Sequence, residues 1–211
     1  HTTAATLDMI KNAILEYLPN ARIINFLDDS ITGDLKNDSS CITYVYEKIM
    51  AYSKFAERQG ADIIVNACST VGEFKTYATG KLSVPLVRID DAVTDAFCEH
   101  ALAIAIIATA SITVTPSSNI VHAKADSHAK VDEFLIEKAA EFNSLGDKEA
   151  HDKLIAQKTN EIADKYDAIF LAQASMADAI NYIDEKYKDM VYTSLPYCVA
   201  QIVQIASRIK K

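Results

Sequence analysis

"ADIIVNACSTVGE", residues 61–73, carries an apolar, β-branched run straight into a polar turn, with a single thiol, Cys68, at the junction. A run without polar alternation reads as a strand buried on both faces, the pattern of a parallel sheet covered by helices. The pattern recurs in "ARIINF" (21–26), "VPLVRI" (84–89), "LAIAIIAT" (102–109), "AIFLAQ" (168–173) and "MVYTS" (190–194). Between these runs lie segments of helical period: "TLDMIKNAILEYL", "CITYVYEKIMAYSKFAERQ", "DAVTDAFCEHALA", "KVDEFLIEKAAEF", "KLIAQKTNEIADKY" and "YCVAQIVQIASRI". Strands each followed by a helix predict an α/β protein. "LDDSITGDLKNDSS" (27–40) and "TPSSNIVHAKADS" (115–127) read as loops.

The chain also matches itself. Shifted by 105 residues, "DIIVNACST" (62–70) falls on "DAIFLAQAS" (167–175), and "PLVRIDDAVTDAF" from 85 falls without a gap on "MVYTSLPYCVAQI" from 190. This predicts two related α/β halves. By nearly the same shift "HTTAAT" (1–6) matches "ATASIT" (108–113), which follows the run "LAIAII". The repeat therefore predicts a strand ahead of His1, and a sequence that starts inside a longer natural chain.

Composition narrows the partners. With 21 basic against 29 acidic residues the net charge is -8 and no Lys/Arg stripe tracks a phosphate backbone, so nucleic acid is not expected. The longest apolar run, "ALAIAIIATA" (101–110), is far short of the ~18 residues of a membrane span. Cys41, Cys68, Cys98 and Cys198 form no CxxC pair, which points to reduced thiols and a cytoplasmic protein. Cys41, Cys98 and Cys198 lie in helical patterns and read as core. No GxGxxG or GxxxxGK[ST] motif signals a nucleotide, and the histidines never stand at i, i+4, so neither a cofactor nor a metal is expected. His122 and His128 read as surface residues, while His1, near a strand end, could reach the site. The apolar helices permit a homodimer without requiring one.

Ligands of parallel α/β sheets bind beyond the carboxyl ends of strands. Thr2 and Thr3, Asn66 with Cys68, Ser69 and Thr70, Thr109 with Ser111 and Thr113, and Gln173 with Ser175 should gather there. These small hydroxyls and amides suit a small carboxylate held by neutral hydrogen bonds and helix dipoles rather than by an arginine clamp. "TVGE" (70–73) and "SMAD" (175–178) also read as capping boxes. Cys68, just ahead of a helix start, is the candidate reactive thiol. Asp28 and Asp29 could select a cationic group on the substrate, or be solvated loop acids.

"DIIVNACST", "VPLVRIDDAV", "IAIIATASITV" and "DAIFLAQASMA" together resemble the aspartate/glutamate racemase superfamily, which includes hydantoin racemase, maleate isomerase and arylmalonate decarboxylase. The resemblance implies a cofactor-independent enzyme of two pseudo-symmetric, Rossmann-like parallel-sheet domains, residues 1–96 with 192–211 and an inserted second domain at 97–191, with its active site in the cleft between them. It also implies two cysteines facing opposite sides of the substrate α-carbon. Cys68 matches the first. At the second the chain has Gln173, which cannot exchange a proton near neutral pH. The expectation is thus a racemase- or isomerase-like enzyme on a small carboxylic acid with Cys68 as acid/base, the alternatives being a one-cysteine lyase or decarboxylase and a non-catalytic small-acid binding protein.

Overall fold

Parallel pairing of short apolar runs organises both parts of the chain in the computed structural model, which describes residues 1–209. Two compact units result, one of His1–Ile89 with the chain from Leu195 on, the other of Asp90–Ser194.

The second unit holds α5 (Asp91–Cys98), β3 (Ala103–Ala108), α6 (Ser111–Lys124), β4 (Lys130–Leu135), α7 (Glu137–Ser144), α8 (Lys148–Ile162), β5 (Ala168–Leu171) and β6 (Val191–Thr193). Its sheet is all parallel in the order β4-β3-β5-β6. Strands with a neighbour on each edge and helices above and below lose all contact with water, and Ile104, Ile107, Ile169 and Phe170 are fully buried. α8 adds Ile155, Ala156 and Ile162 to this core, the i, i+1, i+7 spacing of one helical face.

The first unit holds α1 (Leu7–Tyr17), α2 (Ser30–Asn37), α3 (Ile42–Arg58), β1 (Ile64–Asn66), α4 (Phe74–Tyr77), β2 (Leu86–Arg88) and nearly all of α9 (Ser194–Ile209). β1 and β2 form a two-stranded parallel sheet. Ile31, Leu35, Val45 and Val71 form a buried cluster against which Cys41 and Cys68 pack.

The internal repeat is written into the register. Ile64↔Leu86, Val65↔Val87 and Asn66↔Arg88 in β1-β2 become, at an offset of 105, Ile169↔Val191, Phe170↔Tyr192 and Leu171↔Thr193 in β5-β6.

Several sequence expectations are corrected. "KVDEFLIEKAAEF" is not one helix: β4 takes 130–135 and α7 starts at Glu137, because Lys130–Leu135 pairs along the whole of β3 as an edge strand. The loops expected at 27–40 and 115–127 contain α2 and most of α6. α6 escapes a periodicity reading because Ser, Thr and Pro116 fill it, yet Thr113, Ser117, Ser118, Ile120 and Val121 are all buried. "ARIINF" joins no strand, and Arg22, Ile24 and Asn25 are exposed.

Candidate active site at the strand ends

In the first unit the chain leaves β1 at Asn66 and turns at Ala67 and Cys68 into a 3-10 helix, Ser69–Val71. Asn66 is buried and braces this turn: its Nδ2 donates to the Val71 carbonyl at 2.8 Å and its Oδ1 accepts from the Cys68 amide at 3.4 Å. The half-buried Cys68 thereby takes a fixed place at the strand end. The buried Thr2 hydroxyl donates to Cys68 Sγ at 2.9 Å. Ser69 and Thr70 are buried beside it.

The helix at the capping box expected over 70–73 starts ahead of Thr70. The residue ahead of the 3-10 helix is Cys68, no side chain caps it, and Thr70 lies inside the helix. A turn beginning two residues earlier than the motif predicts removes Thr70 from the capping position. Thr3 is exposed and caps its own turn, accepting from the Ala5 amide at 3.4 Å.

In the second unit β5 ends at Leu171 and a 3-10 helix, Ala174–Tyr182, follows. Gln173 leads into it with φ -128° and ψ 138°, as Cys68 leads into its own helix with φ -130° and ψ 117°. The amide and the thiol therefore hold the same structural position in the two units. Gln173 Oε1 accepts from the Thr109 amide at 2.6 Å and from the Thr109 hydroxyl at 2.9 Å. With its oxygen so engaged, the side chain presents an NH2 group as its remaining donor. Thr113 is buried, Ser175 half-buried and Ser111 exposed at the first turn of α6. Ser175 is a helix residue, so the helix at the capping box expected over 175–178 likewise starts ahead of it.

Arg88, which sequence reading passed over, borders the thiol's turn. Arg88, at the end of β2, is buried, and a Cβ at Gly72 would press into its guanidinium. The sequence signal was a charge closing an apolar run. Asp90, two residues on, is fully buried as well. Tyr46 is held above its ordinary range by burial and by the nearby Glu73 charge, partly offset by Arg88.

Asp28 is engaged within its own unit. Lys48 Nζ lies 2.7 Å from it, Tyr52 donates at 2.8 Å and Ser30 at 2.6 Å. Burial opposes its ionisation, but the bonds from Lys48, Ser30 and Tyr52 outweigh burial and hold the carboxyl at about 2. His122 and His128 are exposed, while Cys98 and Cys198 are buried. Burial raises the Cys98 thiol to about 11. Among the described residues no cluster of metal-ligating side chains occurs, and no helix is long and apolar enough to cross a membrane.

The family description Asp/Glu/Hydantoin racemase matches residues 1–202. The chain belongs to this racemase family. Among solved structures, the family member resembles glutamate racemase isoform RacE1 from Bacillus anthracis, with a TM-score of 0.71 at 15% identity over 98% of this chain and 79% of the other. Aspartate racemase from Picrophilus torridus gives 0.69 at 15% identity, over 98% and 91% of the two chains. Allantoin racemase from Klebsiella pneumoniae gives 0.65 at 16% identity, over 98% and 84%. No curated protein sequence matches. Family membership makes this chain a racemase-type isomerase, in which the first strand end carries a thiol and the second an amide.

Proposed function

We propose that this racemase-family protein acts on a small carboxylic acid, an amino acid or a relative, through one-thiol acid/base chemistry at Cys68. The observation that carries the reading is the Thr2 hydroxyl aimed at Cys68 Sγ, on a turn held rigid by Asn66. A thiolate there takes the α-proton, and the pair of electrons left on the α-carbon delocalises into the adjacent carboxylate as an enolate. Backbone N–H groups and the hydroxyls of Ser69 and Thr70 are suited to hold that carboxylate. Thr109, Ser111, Thr113 and Ser175 are further candidate donors, and Thr3 a candidate neighbour.

Gln173 stands at the position equivalent to Cys68 and cannot supply a proton, so the same thiol, or water on the other face, returns it. This favours a second reading, a lyase in which CO2 leaves and the Cys68 thiol protonates the resulting carbanion on one face. The Gln173 NH2 is then a hydrogen-bond donor to substrate. No cofactor enters either scheme.

Incubation of D- and L-aspartate, D- and L-glutamate, hydantoins and substituted malonates in D2O tests the proposal. α-Deuteration without loss of carbon, abolished in Cys68→Ala, is the expected result for at least one compound. Release of CO2 with deuterium entering one face selects the lyase. Ligand binding that survives Cys68→Ser with no turnover of any compound would overturn both and leave a binding protein.

A further inference from the structure

The inward face of α8 begins with polar residues. His151 is fully buried and Asp152 nearly so, on the same helix face as Ile155 and Ala156 one turn further on. That face packs on the 3-10 helix Ala174–Tyr182, whose Met176 and Ala179 share a core cluster with Ile155 and Ala156. His151 Nδ1 lies 2.7 Å from Asp152 Oδ1, and Lys148 Nζ donates to both Asp152 oxygens, at 2.6 and 2.5 Å. The ammonium also reaches across to Asp178 of the 3-10 helix, at 3.2 Å. A row of side chains, His151–Asp152–Lys148–Asp178, therefore joins α8 to the helix that Gln173 leads into.

This row assigns the tautomer of the ring. A carboxylate oxygen only accepts, so the neutral imidazole carries its hydrogen on Nδ1 and leaves Nε2 as an acceptor. Nε2 is buried, and no donor among the described residues reaches it. A second proton there would put a charge and an unanswered donor into the core, while Asp152 is already shared with Lys148. Burial accordingly pushes the His151 ring below its ordinary range, against the pull of Asp152; Lys148 lowers it further and Asp178 raises it. α7, packed along α8, turns Ala139 inward and leaves Glu137, Lys138 and Glu141 exposed. β3 and β5 carry no ionisable side chain.

We propose that His151 is a positioning residue that makes the Gln173 turn acid-sensitive: the neutral ring keeps α8 closed on the 3-10 helix, and protonation at Nε2 releases that helix. The 3-10 helix is the element that yields, because its i, i+3 bonds are poorer than the ladders of the parallel sheet. Gln173 goes with it, since its carbonyl accepts the Met176 amide at 2.9 Å. The folded chain disfavours the charged ring, so the stability this cluster gives is complete above the ordinary value of 6.5 and is lost as pH falls below it through the folded value. The consequence for a substrate rests on the proposed role of Gln173 in the site, whereas the switch itself does not.

Amide hydrogen exchange and the side-chain NMR signals of His151 and Gln173, followed from about pH 7.5 to about pH 5 in the ligand-free protein, test this. Protection at residues 176–182, corrected for intrinsic exchange, should fall about tenfold over that range while β3 and β5 keep theirs. The Gln173 NH2 signals should shift in step with the His151 ring. His151→Asn keeps a donor toward Asp152 but takes up no proton, so its protection at 176–182 should not change with pH. Lys148→Met, at a half-exposed position, leaves Asp152 to the imidazolium, and the loss of protection should begin at higher pH. A ring that titrates as an exposed histidine while 176–182 stay protected would overturn the proposal. So would an equal loss in His151→Asn, an unchanged midpoint in Lys148→Met, or a loss that β3 and β5 share. None of these readouts uses turnover, so the switch stands or falls apart from the thiol chemistry.

Discussion

β1 and β5 carry nearly the same sequence pattern and meet different fates. Phe170 and Leu171 of β5 are fully buried, while Ile64 and Val65 of β1 are half-buried. The difference is in their neighbours: β5 lies between β3 and β6, whereas β1 has β2 on one edge and a cavity on the other. How dry a strand is depends on what flanks it, even when its own residues ask for full burial. The ends of the same two strands differ chemically, since one turn offers a thiol that receives a hydroxyl proton and the other an amide whose oxygen is engaged by Thr109.

The sharpest way to break this comparison is to remove each strand-end group in turn. Cys68→Ala should lower turnover of a responsive substrate by about 10²- to 10⁴-fold, the range for a positioned acid/base, whereas Gln173→Ala should cost about tenfold through one hydrogen bond. Initial rates of deuterium uptake measure both, and equal losses would mean that the two ends share the chemistry.

Core deletions probe the difference in burial. Phe170→Ala should destabilise by about 3–5 kcal/mol, while Val65→Ala, on the strand with one neighbour, should cost about 1 kcal/mol. Guanidinium denaturation midpoints decide, and similar shifts would show β1 to be as well packed as β5.

A third contrast lies on the turns. Gly72 abuts the buried Arg88 guanidinium, while 105 residues on the second unit has Ala177 and Thr193. Gly72→Ala should cost about 1–3 kcal/mol by overpacking, and Arg88→Thr in the same chain should reduce that cost. Additive losses in the double variant would rule out Arg88 as the cause.

The smallest effect concerns Asp28 in the first unit. Its carboxyl is held at about 2 against an ordinary 3.8, so the stability it adds is present above about pH 4 and is lost as pH falls toward 2. Denaturation at pH 7 and pH 2.5 should show Asp28→Asn lacking an increment on the order of 1 kcal/mol that the parent chain loses on acidification. An identical pH dependence in both would assign the acid sensitivity elsewhere.

Much of the fold could be read from the linear pattern because it depends on local period. The runs at 62–67, 84–89, 102–109, 168–173 and 190–194 all contain strands, and the offset of 105 reappears in the ladder register. β4 was hidden because Lys130–Leu135 continues into α7 with a helix-like spacing, and it becomes a strand only by pairing with β3. α6 was hidden because Ser, Thr and Pro116 mask its period. At the candidate site, the gathering of Asn66, Cys68, Ser69 and Thr70 was legible from their place after the run at 62–67, and that of Thr2 from the match of residues 1–6 to 108–113, but the start of the helix ahead of Thr70 was not. Arg88 went unseen because a lone charge at a strand end does not reveal whether it points inward.

By itself, then, the order of residues determined the alternation of strands and helices, the duplication, and the presence of a thiol after one strand of the repeat and an amide after the other, since each of these is carried by neighbours in sequence. Only the tertiary structure decided that Thr2 donates to Cys68, that Asn66 is a brace, that Arg88 is buried and that β1 borders a cavity. These are contacts between residues far apart in the chain, and the geometry that closes them comes from packing, which no local pattern encodes.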